Sequence, residues 1–235
     1  MAGSLAERRG AHRAKREIAM KPVFLSFLVL LLGASASAAE ISSRITEEIR
    51  PTARQNALPR ARWEHREKGD LWTRVVLSAV QTHGSDLLRE VPKDIADWCP
   101  AYADNGPADR AAFWAGFVST LARYESTWNP RAVGGNGRWF GLMQIYPPTA
   151  EFRNCRVQTG AALKRGSDNL NCAVRIMNIT VPRDNAISVK DTRWRGVAAD
   201  WGPIRNERMR RDMQSYTKRQ VYCRELGKVR PPRRP

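Results

Sequence analysis

Trp114, Phe117, Val118 and Leu121 stand at i, i+3, i+4 and i+7, the spacing of one face of an α-helix. The next position on that stripe, i+11, is Glu125. A helix over 109–128 therefore carries a carboxyl group on its apolar face, near its C-terminal end. Asp109 suits the start of this helix, and Asn129-Pro130 stops it. Burial and the negative end of the helix dipole both disfavour the ionised form, so the pattern predicts a raised pKa at Glu125. A carboxylic acid kept neutral on a rigid helix suits general acid catalysis. The ordinary alternative is a glutamate that swings into solvent.

The rest of the chain reads as further helices joined by irregular loops. Leu71, Trp72, Val75, Val76 and Val80 recur at helical spacing, with Asp70 as a cap and Gly84 as an end. A short helix is expected around Asp94–Trp98, broken by Cys99-Pro100, and Asn105-Gly106-Pro107 marks a turn. Gly134-Gly135-Asn136-Gly137 forms a glycine loop ahead of Gly141-Leu142-Met143-Gln144-Ile145, and Tyr146-Pro-Pro turns into the next helix. Asp168 opens a helix with Leu170, Ala173, Val174 and Met177 on one face, and a basic helix is expected over 204–226. Strand signals are few. The expectation is a mainly α, single compact helical domain over residues 71–227. Residues 40–70 are charged and poor in large apolar side chains, which reads as a flexible linker, and 228–235 as a disordered basic tail. No repeat of 20–50 residues is visible.

Residues 21–39 have the layout of a secretory signal peptide. Lys21 precedes the apolar run Val23–Leu32, and small residues with Ala-x-Ala spacing follow. The run is well short of the roughly 20 residues a spanning helix needs, although an uncleaved anchor is the alternative. A signal starting at Met20 has ordinary proportions, so 1–39 is assigned as the signal-peptide region. Processing leaves no stable membrane span. The chain is then exported, to the periplasm or beyond.

Lys and Arg number 40 against 23 Asp and Glu, a net charge of +17. Without residues 1–39 the balance is 34 against 21, or +13. The partner of such a chain is anionic. Export argues against nucleic acid as that partner and favours an acidic envelope polymer.

The four cysteines, Cys99, Cys155, Cys172 and Cys223, form no Cys-x-x-Cys pair, and no His is near them in sequence. Zinc and thioredoxin-like chemistry are poorly supported, and no metal or organic cofactor is suggested. An even count in an exported chain suggests two disulfides, with free buried thiols as the alternative. Of the three pairings, Cys155–Cys172 with Cys99–Cys223 is preferred. The first closes a short loop, worth roughly 3 kcal/mol in the chain-entropy model, and the second ties the ends of the domain.

Glu125-Ser126, Gly141-Leu142-Met143-Gln144-Ile145 and Asn169-Leu170 together resemble, in order and spacing, the lytic transglycosylases with a soluble-lytic-transglycosylase (SLT) domain. The resemblance runs from about residue 110 to 205 and implies a lysozyme-like α+β fold around a glycan groove. It implies a carbon–oxygen lyase cleaving the β-1,4 bond from N-acetylmuramic acid to N-acetylglucosamine in peptidoglycan, with a 1,6-anhydro product. Glu125 would be the single acid/base and Ser126 would orient it. Gly141, Met143 and Gln144 would line the groove, with Tyr146 and Trp201 as further sugar-contacting residues. Trp201 could equally be core.

One departure bears on mechanism. The family often carries Ala-Tyr-Asn-x-Gly. Aligned on Gly202, this chain has Ala199 for the Tyr and Asp200 for the Asn. An Asp200 facing Glu125 would make a second carboxylate available for lysozyme-type hydrolysis. The missing Tyr also admits a weakened module that binds glycan without cutting it. A basic nucleic-acid-binding protein is the remaining reading, and the signal-peptide pattern counts against it.

Overall fold

A computed structural model describes residues 58–224. The signal-peptide region 1–39, most of the expected linker and the tail 228–235 lie outside the described residues. No helix among the described residues is long and apolar enough to cross a membrane.

The helix with the apolar stripe is the centre of the fold. α3 spans Pro107–Ser126, after α1 (Gly69–Gln81) and α2 (Ser85–Arg89). Pro107 occupies its first turn, where a missing N–H costs nothing, and Asp109 lies in that turn rather than at the cap. Thr127 and Trp128 then adopt left-handed backbone, at φ 51° and 57°, and end it. Residues Ala111–Ala122 are buried all round, not on one face. The reason is that α1 and the later α8 (Glu207–Lys218) both pack against α3.

α6 (Gly166–Asp184) packs against α1 and completes the helical core. Asp168 sits in its first turn, not at its cap, and pairs with Arg156 and Arg165. The expected 204–226 helix is broken into a 3-10 turn at Gly202–Arg205, α8, and a 3-10 turn at Val221–Cys223. Asn206 caps α8 by accepting the Met209 N–H at 3.1 Å. Asp94 opens the 3-10 turn Ile95–Asp97, and its carboxylate holds the amides of Ile187 and Ser188 at 2.8 and 2.7 Å.

Among the described residues strand is confined to β1 (Val133–Gly134) and β2 (Trp139–Phe140), an antiparallel pair in which Val133 faces Phe140. Short helices α4 (Pro147–Phe152), α5 (Gly160–Leu163) and α7 (Val197–Asp200) fill the loops. The mainly α fold expected from the sequence is the observed one.

Two corrections concern the first packed segment. α1 ends at Gln81, before Gly84, and Asp70 lies inside its first turn. The expected linker also does not extend to residue 70. Ala61 and Trp63 are fully buried. Trp63 donates to Thr73 Oγ1 at 2.9 Å and packs edge-on against Trp72. The Arg62 amide donates to Ser119 Oγ at 2.7 Å. One large aromatic buries enough area to anchor a segment whose average composition is polar.

The disulfides are Cys99–Cys223 and Cys155–Cys172, the preferred pairing. Trp114 donates to the Tyr102 hydroxyl at 2.9 Å, and that hydroxyl donates to Leu87 O at 2.7 Å. Phe113 and Phe117 pack around Trp114 and Trp98 with mostly edge-to-face geometry.

Candidate active site

Glu125 is the penultimate residue of α3 and is half-buried. It faces a groove of about 570 Å3 whose walls include Gly135, Trp139, Gln144, Asp200, Trp201 and Arg205. Burial pushes its pKa up to about 8. Among the described residues no hydrogen bond or charged neighbour contributes to that shift or opposes it. The carboxyl is thus mostly protonated at neutral pH and has its proton free to give.

The loop facing Glu125 is held from three sides. Asn169, fully buried on α6, donates to Phe140 O at 2.9 Å and to Leu163 O at 3.0 Å, and accepts the Met143 N–H at 2.8 Å. Ser126 donates to Leu142 O at 2.9 Å. Trp201 donates its indole N–H to Met143 O at 3.0 Å. Gly141 has φ +81°, and a Cβ there would lie 2.2 Å from Leu163 O and 2.4 Å from Asn169 Nδ2. Only glycine allows this approach.

This clamp corrects several residue expectations. Met143 is fully buried and offers no face to a sugar. Gly141 is buried under Asn169 and acts on loop shape instead of lining the groove. The Ser126 hydroxyl goes to the Leu142 and Ala122 carbonyls, at 2.9 and 3.2 Å, not to Glu125. In each case a buried carbonyl or amide has first claim on the polar group.

Other expected residues do reach the groove. Gln144 lines it, although its amide donates to Gly141 O at 2.9 Å and Ala132 O at 3.3 Å. Tyr146 is 40% exposed and walls a smaller adjoining cavity of about 90 Å3. Trp201 is both core and wall: it is 4% exposed and lines both cavities.

The family model described as Transglycosylase SLT domain matches residues 105–215. Residues 105–215 thus resemble a transglycosylase SLT domain. The match takes in α3 with Glu125, the clamped loop, Asn169 and Asp200. Solved structures resemble the chain as well. "Bd0314 DslA wild-type form 2" is 26% identical, with a TM-score of 0.66, covering 72% of this chain and 100% of that one. Two glutamate-to-glutamine mutants of DslA are 27% and 25% identical, both at a TM-score of 0.65. They cover 70% and 72% of this chain, and 97% and 100% of their own. No curated protein matches the sequence. The SLT match supports a lytic-transglycosylase-type reading and implies peptidoglycan as the substrate.

Asp200, which stands where the SLT motif often has Asn, also lines the groove. Its side chain is 22% exposed and lies 4.0 Å from Arg153. Burial raises its pKa, and the Arg153 and Arg183 charges pull it back. It contributes nothing to the Glu125 shift.

Sequence reasoning passed over Trp139, a 42% exposed wall of the SLT groove. Gly135 lies flat against its ring, where a Cβ would come within 2.0 Å of Trp139 Cε3. The available signal was a tryptophan at the end of a glycine-rich loop, directly after Arg138.

Proposed function

We propose that this chain is an exported peptidoglycan lytic transglycosylase in which Glu125 alone serves as acid and then base. Glu125 gives its proton to the glycosidic oxygen, and the bond from C1 of N-acetylmuramic acid to that oxygen breaks. The N-acetylglucosamine leaves with a free 4-hydroxyl. The Glu125 carboxylate then takes the proton of the muramic acid 6-hydroxyl as that oxygen bonds to C1. The product is a 1,6-anhydro sugar, and no water is consumed. The substrate's own acetamido group steadies C1 between the two steps.

The observation that carries this reading is a carboxyl raised to about 8 by burial alone, opening onto a groove about 570 Å3 in size. Gln144, Tyr146 and Trp201 contact the glycan in this scheme, together with Trp139. Ser126, Gly141 and Met143 position the loop. The two disulfides suit an exported chain.

Asp200 in the same groove favours a second reading, a hydrolase in which Asp200 activates water. Burial raises the Asp200 pKa, which suits a base, while the Arg153 charge 4.0 Å away opposes that rise. Digestion of purified sacculi decides between them. The wild type is expected to release anhydro muropeptides, which differ from reducing-end products by one water, and Asp200→Asn to release the same products. Reducing-end products from the wild type that vanish in Asp200→Asn would establish hydrolysis. Glu125→Gln is expected to abolish clearing while still sedimenting with sacculi. Undiminished clearing would reject Glu125 as the acid.

A further inference from the structure

Beside the Glu125 groove lies a second hollow of about 630 Å3, lined by Arg183, Lys190, Arg193, Trp194 and Arg205 among others. No carboxylate among the described residues lines it. The neighbouring carboxylates are already engaged. Asp184 pairs with Arg183 at 2.7 Å, and Asp191 pairs with Arg195 at 2.8 Å. Lys190 and Arg193 have no ion-pair partner among the described residues and are exposed. Lys190 stacks over the Trp194 ring at 5.7 Å, and Arg210 does so at the same distance. The hollow therefore presents free cations around a half-buried aromatic plate.

This hollow adjoins the groove at Arg205. Arg205 lines both, and the adjacent α7 residues Ala199 and Asp200 line one each. Arg205 itself is held in place by the Ala198 and Ala199 carbonyls, each 2.7 Å away. A ligand that occupied both cavities would have a neutral strand along Glu125 and an anionic branch leaving it past Arg205.

We infer that the Arg183–Arg205 hollow is a binding site for an acidic peptide branch of the glycan strand, with Lys190 and Arg193 contacting its carboxylates. This rests on the peptidoglycan reading above, in which muramic acid bears such a branch. Charge-assisted contacts from free guanidinium and ammonium groups are the strong ones. The site sets which strands are held, not how they are cut.

The test uses the full processed chain carrying Glu125→Gln, so that binding is read without turnover. Two probes are compared: glycan strands with their peptides, and the same strands stripped of peptides by an amidase. Strands with peptides are expected to bind about tenfold more tightly, a preference that Lys190→Glu/Arg193→Glu removes. Arg66→Glu/Lys68→Glu, an equal charge change at exposed positions outside both hollows, is expected to keep the preference. Equal affinity for the two probes, or equal loss in both double variants, would overturn the peptide site. Neither outcome touches the glycan reading. That reading fails separately if the wild type neither binds nor cleaves stripped strands.

Discussion

The Ser126 hydroxyl donates to the Leu142 carbonyl at 2.9 Å, tying the residue after Glu125 to the loop across the groove. This bond joins α3 directly to the 141–145 loop, beside the Asn169 and Trp201 contacts that also hold the loop. Ser126→Ala leaves that carbonyl without its partner, a cost of about 1–3 kcal/mol. The melting temperature is expected to fall by several degrees, and kcat to fall with it more than KM rises. Thermal melts and steady-state kinetics on sacculi check this. Lost activity at an unchanged melting temperature would mean that the hydroxyl acts on substrate instead.

Glu125 titrates near 8 in the folded chain, against an ordinary value of 4.5. A general acid with that value is active when protonated, so turnover is expected to fall as pH rises through about 8. Stability follows the same sign. A raised carboxyl favours the folded state fully below 4.5, and the advantage is lost as pH rises to about 8, at up to about 1.4 kcal/mol per pH unit. Glu125→Gln removes that dependence. Its melting temperature should gain on the wild type between those two values and run parallel above them. Parallel curves throughout would place the carboxyl in solvent.

Met143 and Trp139 are expected to separate packing from substrate contact. Met143 is fully buried, so Met143→Ala should cost about 2–5 kcal/mol of stability. Trp139 is 42% exposed, so Trp139→Ala should cost much less stability but weaken strand binding by about tenfold. Chemical denaturation and a sacculus binding assay read the two effects. The reverse pattern would return Met143 to the groove wall.

The disulfides close loops of very different length, with separations of 17 residues for Cys155–Cys172 and 124 for Cys99–Cys223. In the chain-entropy model the first contributes about 3 kcal/mol and the second about 5. The Cys99→Ser/Cys223→Ser variant is therefore expected to unfold at lower denaturant than Cys155→Ser/Cys172→Ser. Equal midpoints would point to strain or residual structure in one of them.

Local pattern carried much of this fold. The apolar positions of α3 and the glycine loop are legible because helix periodicity and turn chemistry act over a few residues. The cap residues were placed less well. Asp70, Asp109 and Asp168 all fall one to three positions inside their helices, where an acidic side chain still suits the dipole. Residues 58–68 were misread because one buried Trp63 outweighs a polar average.

The chain on its own determined that a carboxyl would sit on the apolar stripe of its central helix, and Cys155–Cys172 with Cys99–Cys223 was already the preferred pairing. Both follow from spacing along the polymer. Tertiary structure alone decided which way the side chains opposite that carboxyl point. Asn169 is 26 residues from Met143, and Trp201 is 58 residues from it, yet together they turn Met143 inward. Directions in an irregular loop are chosen by whichever distant donors and acceptors must be satisfied once water is excluded. That choice has no periodicity to read.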